Sequence, residues 1–340
     1  MWSLFTFLTI FSTDFYSLLF FQLIAAIGFG SALPLIFSLT VDIGDIEKRG
    51  SVFGRLSAVY VLGNGLGHIL SGYLIESFSW TLPFILIAIA GFFCTIALCI
   101  MKEPERRGII QPTEIEDESV LGMSYKLKLT DFKEIWRIKT IFFVIVLNFF
   151  MFIAIGAISS NFITMLKNDY QLSSSFATTM LVIIFGSQMI SGPIMGKLGD
   201  KKHIDDKNGR IKITLLCLLG GSTFYIIAFS LVFANSDMFM LFVFFLLLFI
   251  GAFLFGGIDP LLQATLGDVS PAKIRSTVYS LNFLVYTIGR SLSILILAGF
   301  FLSFNNLYRP GYLILSIIAL SCSLFLIIIL NTLPKDLGRI

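Results

Sequence analysis

The sequence predicts an all-α protein that crosses a membrane many times, built from two related halves. Three observations predict it. Apolar residues make up 56% of the chain and charged residues 13%, against about 25% charged in a soluble domain. The charges are confined to short segments between apolar runs of membrane-spanning length. The chain also repeats itself: Pro34, Asp42, Arg49 and Gly63 recur as Pro260, Asp268, Arg275 and Gly289, each 226 residues later.

The runs follow in order. Trp2–Phe11 is apolar but too short to cross. Residues 15–41, 77–101, 140–166, 170–196, 213–236, 238–258 and 310–334 lack Asp, Glu, Lys and Arg, as does 56–75. Residues 276–308 are interrupted only by Arg290. Each of these nine is near the ~20 residues a helix needs to cross hydrocarbon, and lipid leaves helix as the form that satisfies every backbone group. A barrel would need short alternating strands. The segment 102–137 is polar and reads as a linker, with Leu129–Trp136 as an amphipathic interfacial helix. Cys94, Cys99, Cys217 and Cys322 lie inside apolar runs without metal-like spacing and read as small buried side chains.

The repeat keeps strict register: Gly30 maps on Gly256 and Tyr60 on Tyr286, and after one inserted residue Gly72 maps on Gly299 and Pro83 on Pro310. Related halves of this size in a membrane protein imply a solute site between them. The units are 1–101, a partial first bundle; 102–137, the linker; 138–334, a six-helix second bundle; and 335–340, a tail. The register also implies that the first bundle is incomplete, lacking spans 1 and 2 and most of span 3, about 90 residues encoded upstream of Met1.

Lys and Arg number three in 42–55, eight in 102–139, six in 197–212, two in 266–276 and two after 334. The intervening turns hold only Lys167 and Arg309. This alternation places the basic loops, the linker and the C-terminus in the cytoplasm, with the plasma membrane the expected location. The charges flank spans, so no nucleic-acid partner is expected.

The loop Gly196-Lys-Leu-Gly-Asp200-Lys201-Lys202 followed by Asn208-Gly209-Arg210 resembles the loop motif of the major facilitator superfamily, with His203 to Asn208 inserted before the Gly-Arg. The Asp-x6-Arg pairs, Asp42 with Arg49 and Asp268 with Arg275, resemble the acid–base pairs between spans 4 and 5 and spans 10 and 11 of that family. Leu62-Gly63-Asn64-Gly65-Leu66-Gly67 is similar to its glycine-rich span 5, and Glu103-Pro104-Glu105-Arg106-Arg107-Gly108 resembles the segment after span 6 in Spinster-like members. The resemblance implies twelve spans in the complete fold, alternating access and no cofactor. The expected partners are the bilayer, a small organic solute, anionic or amphipathic, and a proton or other coupling ion, with the chain a monomer.

A charge near mid-membrane is costly and marks a functional candidate. Arg290 is read as an anchor for an anionic solute and Asp259 as a protonatable coupling group; the alternative pairs the two structurally. Asn64 is the repeat mate of Arg290, and Asn148 and Gln188 complete the expected site. Each of these amides, like Asn161 and His68, could equally be an interhelical hydrogen-bond donor. Asp42, Arg49, Asp200, Lys201, Arg210, Asp268 and Arg275 form the expected cytoplasmic gate, with Asp200 facing a helix N-terminus and Asp200, Asp268 and Arg275 clustered. Glycines 28, 30, 63, 65, 67 and 72 are expected to permit close helix packing.

No Gly-x4-Gly-Lys-(Ser/Thr) phosphate loop occurs, so ATP drive within this chain is unsupported. His68 and His203, the two histidines, lie at opposite ends of their spans, which argues against an enzyme. An inactive fragment or a transporter-like receptor or scaffold is the alternative to a transporter.

Overall fold

The computed structural model describes residues 1–100, 135–233 and 237–338, without the side chains of 68, 69, 71, 72 and 76. The expected linker and most of its interfacial helix lie outside these residues. The described chain is helical throughout. It comprises α1 (Trp2–Leu8, with a 3-10 turn to Phe11), α2 (Phe15–Ile43), α3 (Arg49–Ser77), α4 (Thr81–Ile100), α5 (Lys139–Tyr170) and α6 (Ser174–Asp205). It continues with α7 (Gly209–Ser230), α8 (Met238–Gly256), α9 (Ile258–Val269), α10 (Arg275–Ser303), α11 (Arg309–Ser321) and α12 (Ser323–Leu337). Among the described residues, eight segments are long and apolar enough to cross a membrane, counting α8 with α9 and α11 with α12 as one span each. The 29-residue α3 is as long as these.

Five helix starts are met by carboxylates. Asp14 caps α2 in a reciprocal box with Ser17, accepting from its N–H at 2.8 Å, and Asp237 caps α8 through Met240 N–H at 3.0 Å. Three other starts borrow the acid from a different helix. Asp336 accepts from Thr140 N–H at 2.8 Å, Asp169 from Arg309 N–H at 2.6 Å, and Asp200 serves α3. A helix start exposes unpaired N–H groups and a partial positive charge, so each carboxylate satisfies donors and field together.

The core lies in the later helices. Over half of the apolar window of α5 is buried, 56%, against 11% for α2. α10 packs along α5, α3 along α6, and α2 against α10, while α1 packs on α2 and α4.

The repeat occupies equivalent helix positions. Pro34 and Pro260 each stand nine residues before the end of their helix, Asp42 and Asp268 one residue before it, and Arg49 and Arg275 each open the next helix. One difference separates the halves: α2 runs unbroken through Pro34, whereas its counterpart breaks at Gly257. The break puts Pro260 in the first turn of α9, where its missing N–H leaves no bond unmade.

The glycine expectation holds in part. A Cβ on Gly28 would lie 2.8 Å from Trp2 N, but Gly30, Gly63, Gly65 and Gly67 have nothing within 4 Å. Gly63 is open because no described helix lies against it; its mate Gly289 is pressed on α5, 2.7 Å from Phe149 O. The close packing occurs elsewhere, between α3 and α6. There Gly50 and Gly54 face Gly196 and Gly192, backbone to backbone, each pair spaced by four so that both glycines share one helix face. Cys217 and Cys322 are buried, but Cys94 and Cys99 are exposed, since α4 is largely uncovered among the described residues.

Candidate functional site

Six charged side chains meet at one end of the helices. α2, α6 and α9 end there and α3, α7 and α10 begin there. Arg49 donates from Nη1 to Asp268 Oδ1 at 2.8 Å, and Arg275 donates to Asp42. Arg and Asp therefore exchange between the repeats: the arginine of each half takes the aspartate of the other. Arg210 joins the Arg49–Asp268 pair. It donates to Asp268 and reaches Asp200 Oδ1 from Nε at 3.0 Å and Nη2 at 2.8 Å, with Ile46 O at 2.7 Å. Asp200 in turn accepts from Gly50 N at 2.8 Å, Ser51 N at 2.6 Å and Ser51 Oγ at 2.7 Å, holding the start of α3.

Arg49, Asp200, Arg210, Asp268 and Arg275 are each 5% exposed or less. Three arginines balance three aspartates. A buried ion group of this kind is held by its completeness, since removing one member leaves its partner charged and dry. The pairing within the group is finer than the sequence expectation: Arg275 pairs with Asp42, and Arg49 stands beside Asp268. Lys201 points away, exposed, because it lies on the solvent side of the last turn of α6. His203 was not expected here. Its Nδ1 donates to Lys207 O at 3.0 Å and its Nε2 lies 3.9 Å from Asp268 Oδ2. Beyond the end of α6, Lys212 contacts Asp206 at 2.5 Å, and this bond holds the Asp206 carboxyl below its usual range.

A second polar group lies toward mid-span. Asn148 donates to Asn282 Oδ1 at 2.7 Å, Asn282 to Gln263 Oε1 at 3.5 Å, and Gln263 to Asp259 Oδ1 at 2.9 Å. Asn148, Gln263 and Asn282 are 1%, 4% and 3% exposed. Arg290 stands one helical turn beyond Tyr286, and its guanidinium lies beside that phenol. Tyr286 also lies in the field of Tyr60 and Asp259, and Phe152 and Phe283 pack on its ring at 4.0 and 5.4 Å. Tyr60 on α3 and Tyr286 on α10 are repeat mates.

The expected site is thus brought together only in part. Asn148 and Asp259 are joined through two amides that the sequence reading did not single out. No ion pair joins Arg290 to Asp259 among the described residues. Asn64 turns its amide to Tyr60 O of its own helix, at 3.1 Å, and Gln188 packs on Gly256 of α8. A groove of about 510 Å3 lined by Lys212, Leu215, Leu216, Leu219, Gly220, Phe224 and Leu254 contains none of the expected site residues. The side chain of His68 lies outside those described.

Comparison with known proteins decides the family. The family model of the Major Facilitator Superfamily matches residues 1–293 and 144–339. The chain belongs to that superfamily. It is 26% identical over 282 residues to the multi-drug resistance efflux pump PmrA of Streptococcus pneumoniae, covering 82% of this chain and 64% of the relative. It is 32% identical over 112 residues to the uncharacterized MFS-type transporter YcnB of Bacillus subtilis, covering 33% and 23%. The chain thus spans less than two thirds of the length of these curated relatives. Among solved structures, the human organic anion transporter MFSD10 superposes with a TM-score of 0.69 at 15% identity, covering 98% of this chain and 74% of that one. The Escherichia coli fucose:proton symporter FucP does so with 0.65 at 14%, covering 96% and 80%. These likenesses establish the fold. The likeness to a bacterial Spinster homologue, 0.48 at 17% identity, singles out no subgroup.

Proposed function

We propose that the chain works as a secondary or facilitative transporter, moving a small organic anion or amphipathic solute across the plasma membrane by alternating access. The observation that carries this is the exchange of Arg49–Asp268 and Arg275–Asp42 between the repeats. Two halves that cross-link at one end through buried ion pairs close that end and leave the other as the route to the centre. The alternation of basic loops makes the closed end cytoplasmic. Asp42, Arg49, Asp200, Arg210, Asp268 and Arg275 are the gate.

Arg290, with Tyr286 and Tyr60, is the proposed solute contact. Arg290 has no ion-pair partner among the described residues, and a cation at this depth favours an anion. Asp259 is the proposed proton site. Ionised, it would stand mid-span with one amide donor and, among the described residues, no cation paired to it, so a proton gradient has a group to act on.

Reconstitution in proteoliposomes tests this, with fluorescein as an organic anion, ethidium as a cationic control and an imposed pH gradient. Uptake of fluorescein that saturates and follows the gradient is expected. Equal leakage with wild type and with empty vesicles would remove the proposal.

A further inference from the structure

We propose that Gln263 is the positioning residue that ties the state of the Asp259 carboxyl to the cytoplasmic gate, with α9 as the rigid element that carries both. This rests on the transporter reading above and names the linkage within it.

Four observations lead there. First, α9 holds Asp259 in its first turn and Asp268 in its last, nine residues or about 14 Å apart. One residue, Gly257, separates it from α8 and keeps helical angles, φ −83° and ψ −15°.

Second, Gln263 lies between the two acids and is bonded both ways. Its Nε2 donates to Asp259, its Oε1 accepts from Asn282, and its backbone carbonyl accepts from Tyr279 Oη at 2.7 Å. Tyr279 is buried beneath the gate, in the field of Arg275, Arg49 and Asp268 as well as Asp259.

Third, the three side-chain amides all donate in one direction, Asn148 to Asn282 to Gln263 to Asp259. Aligned donors polarise one another and support negative charge at the end of the chain. Protonating Asp259 removes the charge that aligns them.

Fourth, the other repeat lacks these groups. The repeat mates of Asp259, Gln263 and Asn282, 226 residues earlier, are Leu33, Phe37 and Leu56. The same helix positions are apolar in one half and form a polar chain in the other.

The groups facing Asp259 are few. Gln263 lies on its own helix, and Tyr279 and Tyr286 on α10 feel its charge. Among the described residues, no ion pair reaches it from the other helices packed on α9: α2, α3, α5, α6, α7, α8 and α12.

The test is Gln263→Met in the full chain, which keeps the volume and the backbone carbonyl that Tyr279 needs. Exposed Cys94 and Cys99 are replaced by serine, and spin labels are attached through Glu47→Cys and Asp205→Cys, exposed positions on either side of the gate. The label-to-label distance and fluorescein transport are then followed against pH. Losing a donor to the charged form favours the protonated one, so both midpoints should rise together by about one pH unit, a tenfold change in proton concentration. A purely structural role would lower the melting temperature and leave the midpoints in place. A variant whose midpoints coincide with wild type overturns the role of Gln263. A wild type that transports but whose gate ignores pH overturns the coupling role of Asp259 itself. If Gln263→Met does not fold, Asn282→Leu, which installs the residue of the other half, should raise the midpoints in the same sense. Unchanged midpoints there also overturn the inference.

Discussion

Gly50→Ala should open the cytoplasmic gate. A Cβ at Gly50 would lie 2.6 Å from Asp200 Oδ1 and 2.9 Å from Gly196 O. Ordinary contact begins near 3.4 Å, so the carboxylate must retreat by about 0.8 Å and the α6 backbone by about 0.5 Å. The Gly50 N–H bond to Oδ1, now 2.8 Å, then exceeds 3.5 Å, and the Ser51 N–H bond, now 2.6 Å, is stretched to its limit. Hydrogen bonds to a charged group contribute about 1.5 kcal/mol or more each. Losing the first shifts the closed state by about 1.5 kcal/mol, on the order of tenfold in population. Intrinsic helix propensity works in the opposite sense, favouring alanine by about 1 kcal/mol, so weaker closure cannot be ascribed to it. Distances between spin labels at 47 and 205 read the outcome, with Gly63→Ala, which meets nothing within 4 Å, as the control. A Gly50→Ala distribution that overlays the parent would refute the reasoning.

Four further outcomes are expected. Asp200→Asn should slow vesicle transport at least about tenfold with membrane insertion intact, because the neutral amide cannot answer both Arg210 and the start of α3; wild-type turnover would count against a gating role. Asp42→Asn should destabilise the fold by about 3 kcal/mol by leaving Arg275 buried without its acid, and adding Arg275→Gln should recover most of that loss in a chemical melt. Arg290→Ala should abolish fluorescein binding while shifting the thermal melt by less than about 0.5 kcal/mol; a large melt shift with binding retained would make Arg290 structural. Asp169→Ala should cost about 1 kcal/mol, seen as faster hydrogen exchange at the start of α11, since Tyr308 and Arg309 lose their shared acceptor.

The spans and the repeat were legible because lipid imposes a simple rule on composition and because Pro, Asp, Arg and Gly keep register over 226 residues. The partners of the gate were less so. Spacing along the chain suggests Asp42 with Arg49, and only the folded arrangement shows each arginine crossing to the other half. Gln263 and Asn282 carry no signal of their own in the sequence, each a single polar residue in an apolar run. Laying the two halves side by side would have exposed them, since Phe37 and Leu56 stand at the same positions. The glycines misled for a physical reason: Gly63, Gly65 and Gly67 look like a packing face, yet packing needs an opposing helix, and none lies there among the described residues. The glycines that do pack, Gly50, Gly54, Gly192 and Gly196, carried the same spacing-by-four signal on two different helices.

The exchanged ion pairs bear on how the protein is made. Arg49 and Asp268 are 219 residues apart, and Asp42 and Arg275 are 233 apart. At about 5–20 residues per second, a ribosome needs roughly ten to forty-five seconds to cover that interval. Throughout it the early half carries an acid and a base destined for burial whose partners have not been synthesised. In the meantime they have only each other, water or lipid headgroups as partners. A chain stalled in between would keep both charges at the surface, where a quality-control protease could tell it from finished product by charge alone.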